Sequence, residues 1–189
     1  MSRRFIASVV VSLATVGLVV GTSSSSFSGT TSTVGNTASA ATVSITDDDS
    51  GIALFNVTNA VPGVVTTKCI TTEYTGSVPA EVALYARTSG DLAPFVNITV
   101  ENGTTTTPTC AGFTPTTVQF TGTLDALGAK STFATGLGAS AWHPKAAATI
   151  PAVSNDVKRA WRITTVLADN NAAQGKSASF DLVWEARNL

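Results

Sequence analysis

Apolar and polar residues alternate with a period of two in a series of short runs along this chain. The clearest runs are residues 42–46, 81–87, 95–101, 118–124, 161–167 and 180–186. Residues 161–167 read Trp-Arg-Ile-Thr-Thr-Val-Leu, and 180–186 read Phe-Asp-Leu-Val-Trp-Glu-Ala. Val, Ile, Thr and aromatic residues at this period mark half-buried strands. Residues 52–58 and 64–74 are less regular but have the same composition. Turn signals separate the runs: Asp47-Asp48-Asp49-Ser50-Gly51, Val61-Pro62-Gly63, Ser89-Gly90-Asp91 and Asp169-Asn170-Asn171. Eight strand candidates at this spacing predict an all-β fold, a jelly-roll-like antiparallel β-sandwich. One or two helical turns are expected near 124–130, and the Gly/Ala/Pro-rich stretch 134–154 reads as a long loop.

The first residues do not fit that pattern. Arg3 and Arg4 precede an uncharged apolar stretch, 5–20, and then Gly21, Thr22 and Ser23. A comfortable transmembrane helix needs roughly 20 apolar residues. The shorter run with small polar residues behind it has the layout of a cleaved signal-peptide helix, the alternative being an uncleaved anchor. The expected division is a signal peptide at 1–26, a flexible lead-in or donor strand at 27–41 and a β-sandwich domain at 42–189. The expected location is secreted, extracellular or at the cell surface, with a membrane met only through the uncleaved signal segment and a signal peptidase met during export.

Charged residues make up only 12% of the chain, so Ser, Thr, Gly and Ala supply much of its surface. The formal net charge is −1; losing Arg3 and Arg4 takes Lys and Arg from 11 to 9 against 12 Asp and Glu, a net −3. Nucleic-acid binding calls for a basic patch, and Lys158, Arg159 and Arg162 are too few to form one. In an exported chain the two cysteines, Cys69 and Cys110, most simply form a disulfide, the alternative being two free thiols.

Catalytic chemistry finds little purchase. The chain has one histidine, His143. A zincin needs two, one helical turn apart with a glutamate between. A Ser-His-Asp triad needs a histidine held between an acid and a serine, and no Gly-x-Ser-x-Gly elbow is present. No catalytic, cofactor or metal residue is therefore assigned. Asp47, Asp48 and Asp49 form either a solvated turn or a weak Ca²⁺ site, though no glutamate closes an EF-hand loop. Trp161 and Trp184 lie within alternating strands and read as core. Trp142, in the loop, is the one tryptophan open to a role in ligand contact. Asn-x-Thr sequons occur at Asn56, Asn97 and Asn102.

The order of several loose motifs resembles a known family. An Arg-Arg signal runs into Gly-Thr-Ser, Phe27 follows, and a Thr/Asn/Ala segment leads into Thr42-Val43-Ser44-Ile45-Thr46-Asp47. Pro62-Gly63 precedes Cys69 and Tyr74-Thr75-Gly76. Arg162-Ile163-Thr164, Asp169-Asn170-Asn171-Ala172-Ala173-Gln174-Gly175 and Trp184-Glu185-Ala186 end the series. In this the chain resembles the actinobacterial branch of the TasA and camelysin family, whose signal is read by a SipW-type peptidase. The resemblance implies a jelly-roll sandwich and a biofilm matrix or fibre subunit. Self-association or binding to matrix proteins would follow, with a strand near the amino terminus completing the sheet of the next subunit. The Cys69–Cys110 pair departs from the fibre-forming pattern. The camelysin side carries a metalloprotease description, but the His-Glu-x-x-His that chemistry needs is absent, so the chain is read as a non-enzyme. Three readings remain: a structural subunit assembling by strand addition, a surface module binding glycan or protein, and a secreted peptidase.

Overall fold

The computed structural model describes residues 41–49, 54–55, 60–107, 109–138, 142–147 and 155–189. The signal segment 1–26, nearly all of the lead-in 27–41 and most of the strand expected at 52–58 lie outside the described residues. Seven strands and one short helix follow in order: β1 (Ile45–Asp47), β2 (Val65–Tyr74), β3 (Ala80–Ser89), β4 (Val96–Thr104), β5 (Thr114–Thr123), α1 (Leu124–Gly128), β6 (Lys158–Leu167) and β7 (Ser179–Asn188). They form two antiparallel sheets, one ordered β1-β2-β6-β4-β5 and the other β3-β7. The all-β class read from the alternation is the class observed.

The period of two sorts the side chains. In β6, Arg159, Trp161, Ile163 and Thr165 are buried while Arg162, Thr164 and Val166 are half-exposed. In β3, Ala80, Val82, Leu84 and Ala86 face inward and are buried. These inner faces meet in one cluster with Ile70, Ile98 and Val100, so the two sheets pack face to face as a sandwich. The helix α1 is capped by Thr123, whose Oγ1 accepts the Ala126 N–H at 3.2 Å. Its Leu124 and Leu127, one turn apart, drop into the same core.

Three tryptophans cross this core. The Trp142 and Trp161 rings lie 6.2 Å apart and Trp161 and Trp184 6.1 Å, both tilted. Trp161 comes from the larger sheet, Trp184 from the smaller, and Trp142 from the segment after α1. The Trp161 indole N–H donates to Thr72 Oγ1 at 3.0 Å, and that hydroxyl donates to the Arg159 carbonyl at 3.3 Å. A fully buried threonine is thereby satisfied on both sides.

The structure departs from the sequence expectation in two places. The run 42–46 forms a ladder only as Ile45–Asp47. Thr42 and Ser44 instead accept N–H groups from Ser77, Thr75 and Gly76, beyond the end of β2 where the chain is already turning. The stretch 134–154, in its described part, does more than connect. The Ala80, Val82, Leu84 and Ala86 N–H groups donate to the carbonyls of Pro144, Trp142, Leu137 and Lys130 at 2.8–3.1 Å. That segment therefore lies along the second edge of β3 and covers it. Its Gly, Ala and Pro content hid this, because edge cover by single carbonyls needs no β-pattern.

The two cysteines pair, as expected for an exported chain. Cys69 and Cys110 are bonded, with Cα atoms 5.2 Å apart. They do not join neighbouring strands. Cys69 lies on β2, and Cys110 on the loop between β4 and β5, with β6 intervening in the sheet order. The loop folds back over the outer face as a strap across β6. There Arg162 pairs with Glu101 through two bonds of 2.6 and 2.9 Å, and its guanidinium lies 4.8 Å from the Phe113 ring. Gly103 makes room for this: a Cβ there would collide with the Thr114 carbonyl and the Phe113 ring.

The disulfide closes a separation of 41 residues. Replacing both cysteines by alanine is expected to lower the unfolding free energy by about 4 kcal/mol, measured by urea denaturation, through release of the unfolded chain.

Candidate functional site

A sheet edge is a row of backbone donors and acceptors that must be paired, covered or blocked. The sandwich has four edges. That of β3 is covered by the 130–144 segment. That of β5 carries Pro115, which has no N–H, and two register shifts opposite β4, between Val100 and Glu101 and between Asn102 and Gly103. The remaining two, on β1 and β7, lie on the same side.

The outer edge of β7 has no partner strand among the described residues. Even-numbered residues of β3 send their N–H groups to the covering segment. The ladder between β3 and β7 therefore runs through the odd-numbered ones, and antiparallel alternation turns the backbone groups of Phe180, Leu182, Trp184 and Ala186 to the outer edge. Their side chains are half-buried. Between this edge and β1 lies a cleft of about 230 Å³, lined by Ile45, Thr46, Asp47, Thr72, Leu182, Val183 and Trp184. The Trp184 indole N–H is buried and meets no acceptor among the described residues. A buried donor left so costs about 1–3 kcal/mol. The cleft thus offers an extended segment a backbone ladder along β7.

The acidic turn forms one rim of this cleft. Asp48 Oδ1 accepts the Thr71 N–H at 2.8 Å and fixes the turn against β2. Burial raises the Asp47 carboxyl above its ordinary value. A hydrogen bond with the Asp49 side chain and the charges of Asp49 and Asp48 raise it further, against a lowering contribution from the Asp49 backbone. Among the described residues no three His, Cys, Asp or Glu side chains gather as a metal-binding group. In the other polar turn, Asn170 Oδ1 accepts the Ala172 N–H at 2.9 Å and starts a short 3₁₀ segment, Asn171–Ala173.

Trp142 is not a surface residue. It is fully buried, its indole N–H donates to the Asp156 carbonyl at 2.7 Å, and the Arg159 guanidinium stacks 4.8 Å from its ring. It has no face left for a glycan, which removes the aromatic contact considered for a binding module. Trp161 and Trp184 are core residues, as their strand positions indicated. His143 faces Glu81, with Nε2 3.8 Å from Oε2. The three neighbouring cations diverge. Lys158 pairs with Glu73 at 3.1 Å, Arg159 is buried on Trp142 with its pKa lowered to about 10 by desolvation, and Arg162 holds Glu101. Of the sequons, Asn97 is exposed, Asn102 is buried, and Asn56 lies outside the described residues.

The alternation of 180–186 made β7 visible in the sequence, but not its position at an open edge, which depends on which strands the rest of the chain supplies. Comparison with protein-family models finds no match, and comparison with curated proteins finds none either.

Because the folded state raises the Asp47 pKa, it binds that proton more tightly than the unfolded chain. Ionisation therefore subtracts from stability, progressively as pH rises from the ordinary carboxylate range through the raised value, and fully above it. Asp47→Asn is expected to raise the urea midpoint at about pH 7 and to leave it unchanged near pH 2.5, where Asp47 is protonated in both states.

Proposed function

We propose that this protein is an exported structural subunit that assembles into an extracellular matrix or fibre by β-strand addition, on a jelly-roll-like sandwich of the TasA and camelysin type. The observation that carries the reading is the outer edge of β7, unpaired among the described residues beside the β1 cleft. An extended segment adding there would gain main-chain bonds from the edge and specificity from alternate side chains. The contrast between edges supports it. One is covered and one carries a proline and bulges, whereas β7 is regular over ten residues.

The donor in this reading is the lead-in, 27–41. It has no charged residue and is rich in Thr and Ser. At about 3.3 Å per residue its fifteen residues exceed the length of β7. The chain's own disulfide, and the lack of any helix among the described residues long and apolar enough to cross a membrane, are compatible with an extracellular destination. Export itself is assigned from Arg3, Arg4 and the apolar stretch behind them. Loss of the Trp142 contact leaves the glycan-binding alternative without its anchor.

Negative-stain electron microscopy and light scattering on the processed chain at high concentration test the proposal. Fibres are expected from the unaltered protein and not from a chain lacking residues 27–40. Ala186→Pro is expected to give a folded monomer that does not assemble, since its N–H faces the open edge and no β3 bond is lost. Assembly undiminished by both changes would sink the strand-addition reading.

A further inference from the structure

The strap between β4 and β5, together with the strand ends that flank it, has a composition unlike the rest of the chain. Residues 104–117 read Thr-Thr-Thr-Thr-Pro-Thr-Cys-Ala-Gly-Phe-Thr-Pro-Thr-Thr. Eight of these fourteen are threonine, against 31 in all 189 residues, and none is charged. Thr104 ends β4, Thr105, Thr106, Thr107 and Thr109 lie in the loop, and Thr114, Thr116 and Thr117 open β5.

The fold then presents these hydroxyls to solvent. Seven of the eight threonines are exposed, and the eighth, Thr105, is half-buried. The hydroxyls of Thr105, Thr107 and Thr109 bond only within the loop: Thr105 Oγ1 to the Thr107 carbonyl, Thr107 Oγ1 to Thr109 Oγ1 at 3.1 Å, and Thr109 Oγ1 accepting the Ala111 N–H at 3.4 Å. Neither sheet depends on them. Thr107 and Thr114 each precede a proline, which disfavours helical backbone at the preceding residue and favours the extended form that holds a side chain outward. The loop is anchored at the same time by Cys110 to Cys69 and by Phe113 against Arg162.

We infer that this strap is a site of O-glycosylation, its threonine hydroxyls accepting sugars from a phosphate-activated donor carried by a separate transferase. Threonine-rich segments interrupted by proline are the compositional signature of such acceptors. In the transfer, a threonine Oγ1 forms a bond to the anomeric carbon of the sugar. The bond from that carbon to the donor's phosphate oxygen breaks, the phosphate leaves with the electron pair, and the hydroxyl proton passes to a base on the transferase. Sugars on Thr114, Thr116 and Thr117 would stand along the outer edge of β5, already interrupted by Pro115, and close it to a further strand. The modification itself does not require that the chain assembles.

The test uses the full chain, purified from the medium of the cells that naturally produce it. Its intact mass is expected to exceed that of the processed polypeptide by whole monosaccharide residues. Electron-transfer fragmentation is expected to place them on threonines of 104–117. Changing the seven exposed threonines of the strap to valine should abolish the increments, while changing them to serine, which keeps the hydroxyls, should retain them. Should the valine variant fail to fold or to be exported, the map of the unaltered protein and the serine variant still decide. An unmodified mass, or increments confined to Asn97 or to threonines elsewhere, overturns the inference.

Discussion

The contact between Trp161 and its two neighbours, Trp142 and Trp184, sets the geometry of the whole molecule. Among the described residues two strands stand opposite the five-stranded sheet, so few side chains span the two layers. Trp161 bridges them. Its ring meets Trp184 of the smaller sheet on one side and Trp142 of the covering segment on the other. Tilted aromatic pairs contribute about 0.5–1.5 kcal/mol each beyond the area they bury. The Trp161 N–H is spent on Thr72, which ties β6 to β2 within the same layer. One side chain thus registers both sheets and the segment that protects the β3 edge.

That arrangement decides which edges are closed. With Trp142 drawn into the core, the chain around it must run beside β3, and its carbonyls take the β3 N–H groups. On the far side of the larger sheet, Pro115 and the two bulges leave β5 poorly suited to a partner. Among the described residues the β7 edge receives neither treatment. Trp184 sits there with its ring in the stack and its N–H without an acceptor among the described residues, so the element that joins the layers also borders the cleft beside β1. Core packing and the capacity for strand addition are linked through this one residue.

The disulfide acts at a different level. It belongs to the outer surface, where it lays the β4–β5 loop across β6 above the Arg162–Glu101 pair. An exposed ion pair contributes little. Here Glu101 is largely buried and Phe113 lies against the guanidinium, so water is excluded from much of the pair. The strap stiffens a surface that carries few charges, and the hydroxyls of Thr105, Thr107 and Thr109 bond only within it.

The sequence by itself determined the class of fold and nearly every strand, because a period of two with β-branched and aromatic residues leaves a half-buried sheet as the one way to hide the apolar face. Residues 64–74, 81–87, 161–167 and 180–186 all became ladders, and the inward positions of Trp161 and Trp184 followed from the same count. It also determined the disulfide, from two cysteines in a chain that reads as exported. Tertiary structure alone decided the burial of Trp142, the strap over β6 and the position of β7 at an edge unpaired among the described residues. None of these is a property of a segment. Each depends on which elements become neighbours, and a pattern that repeats within a strand carries no record of what lies beyond its edge.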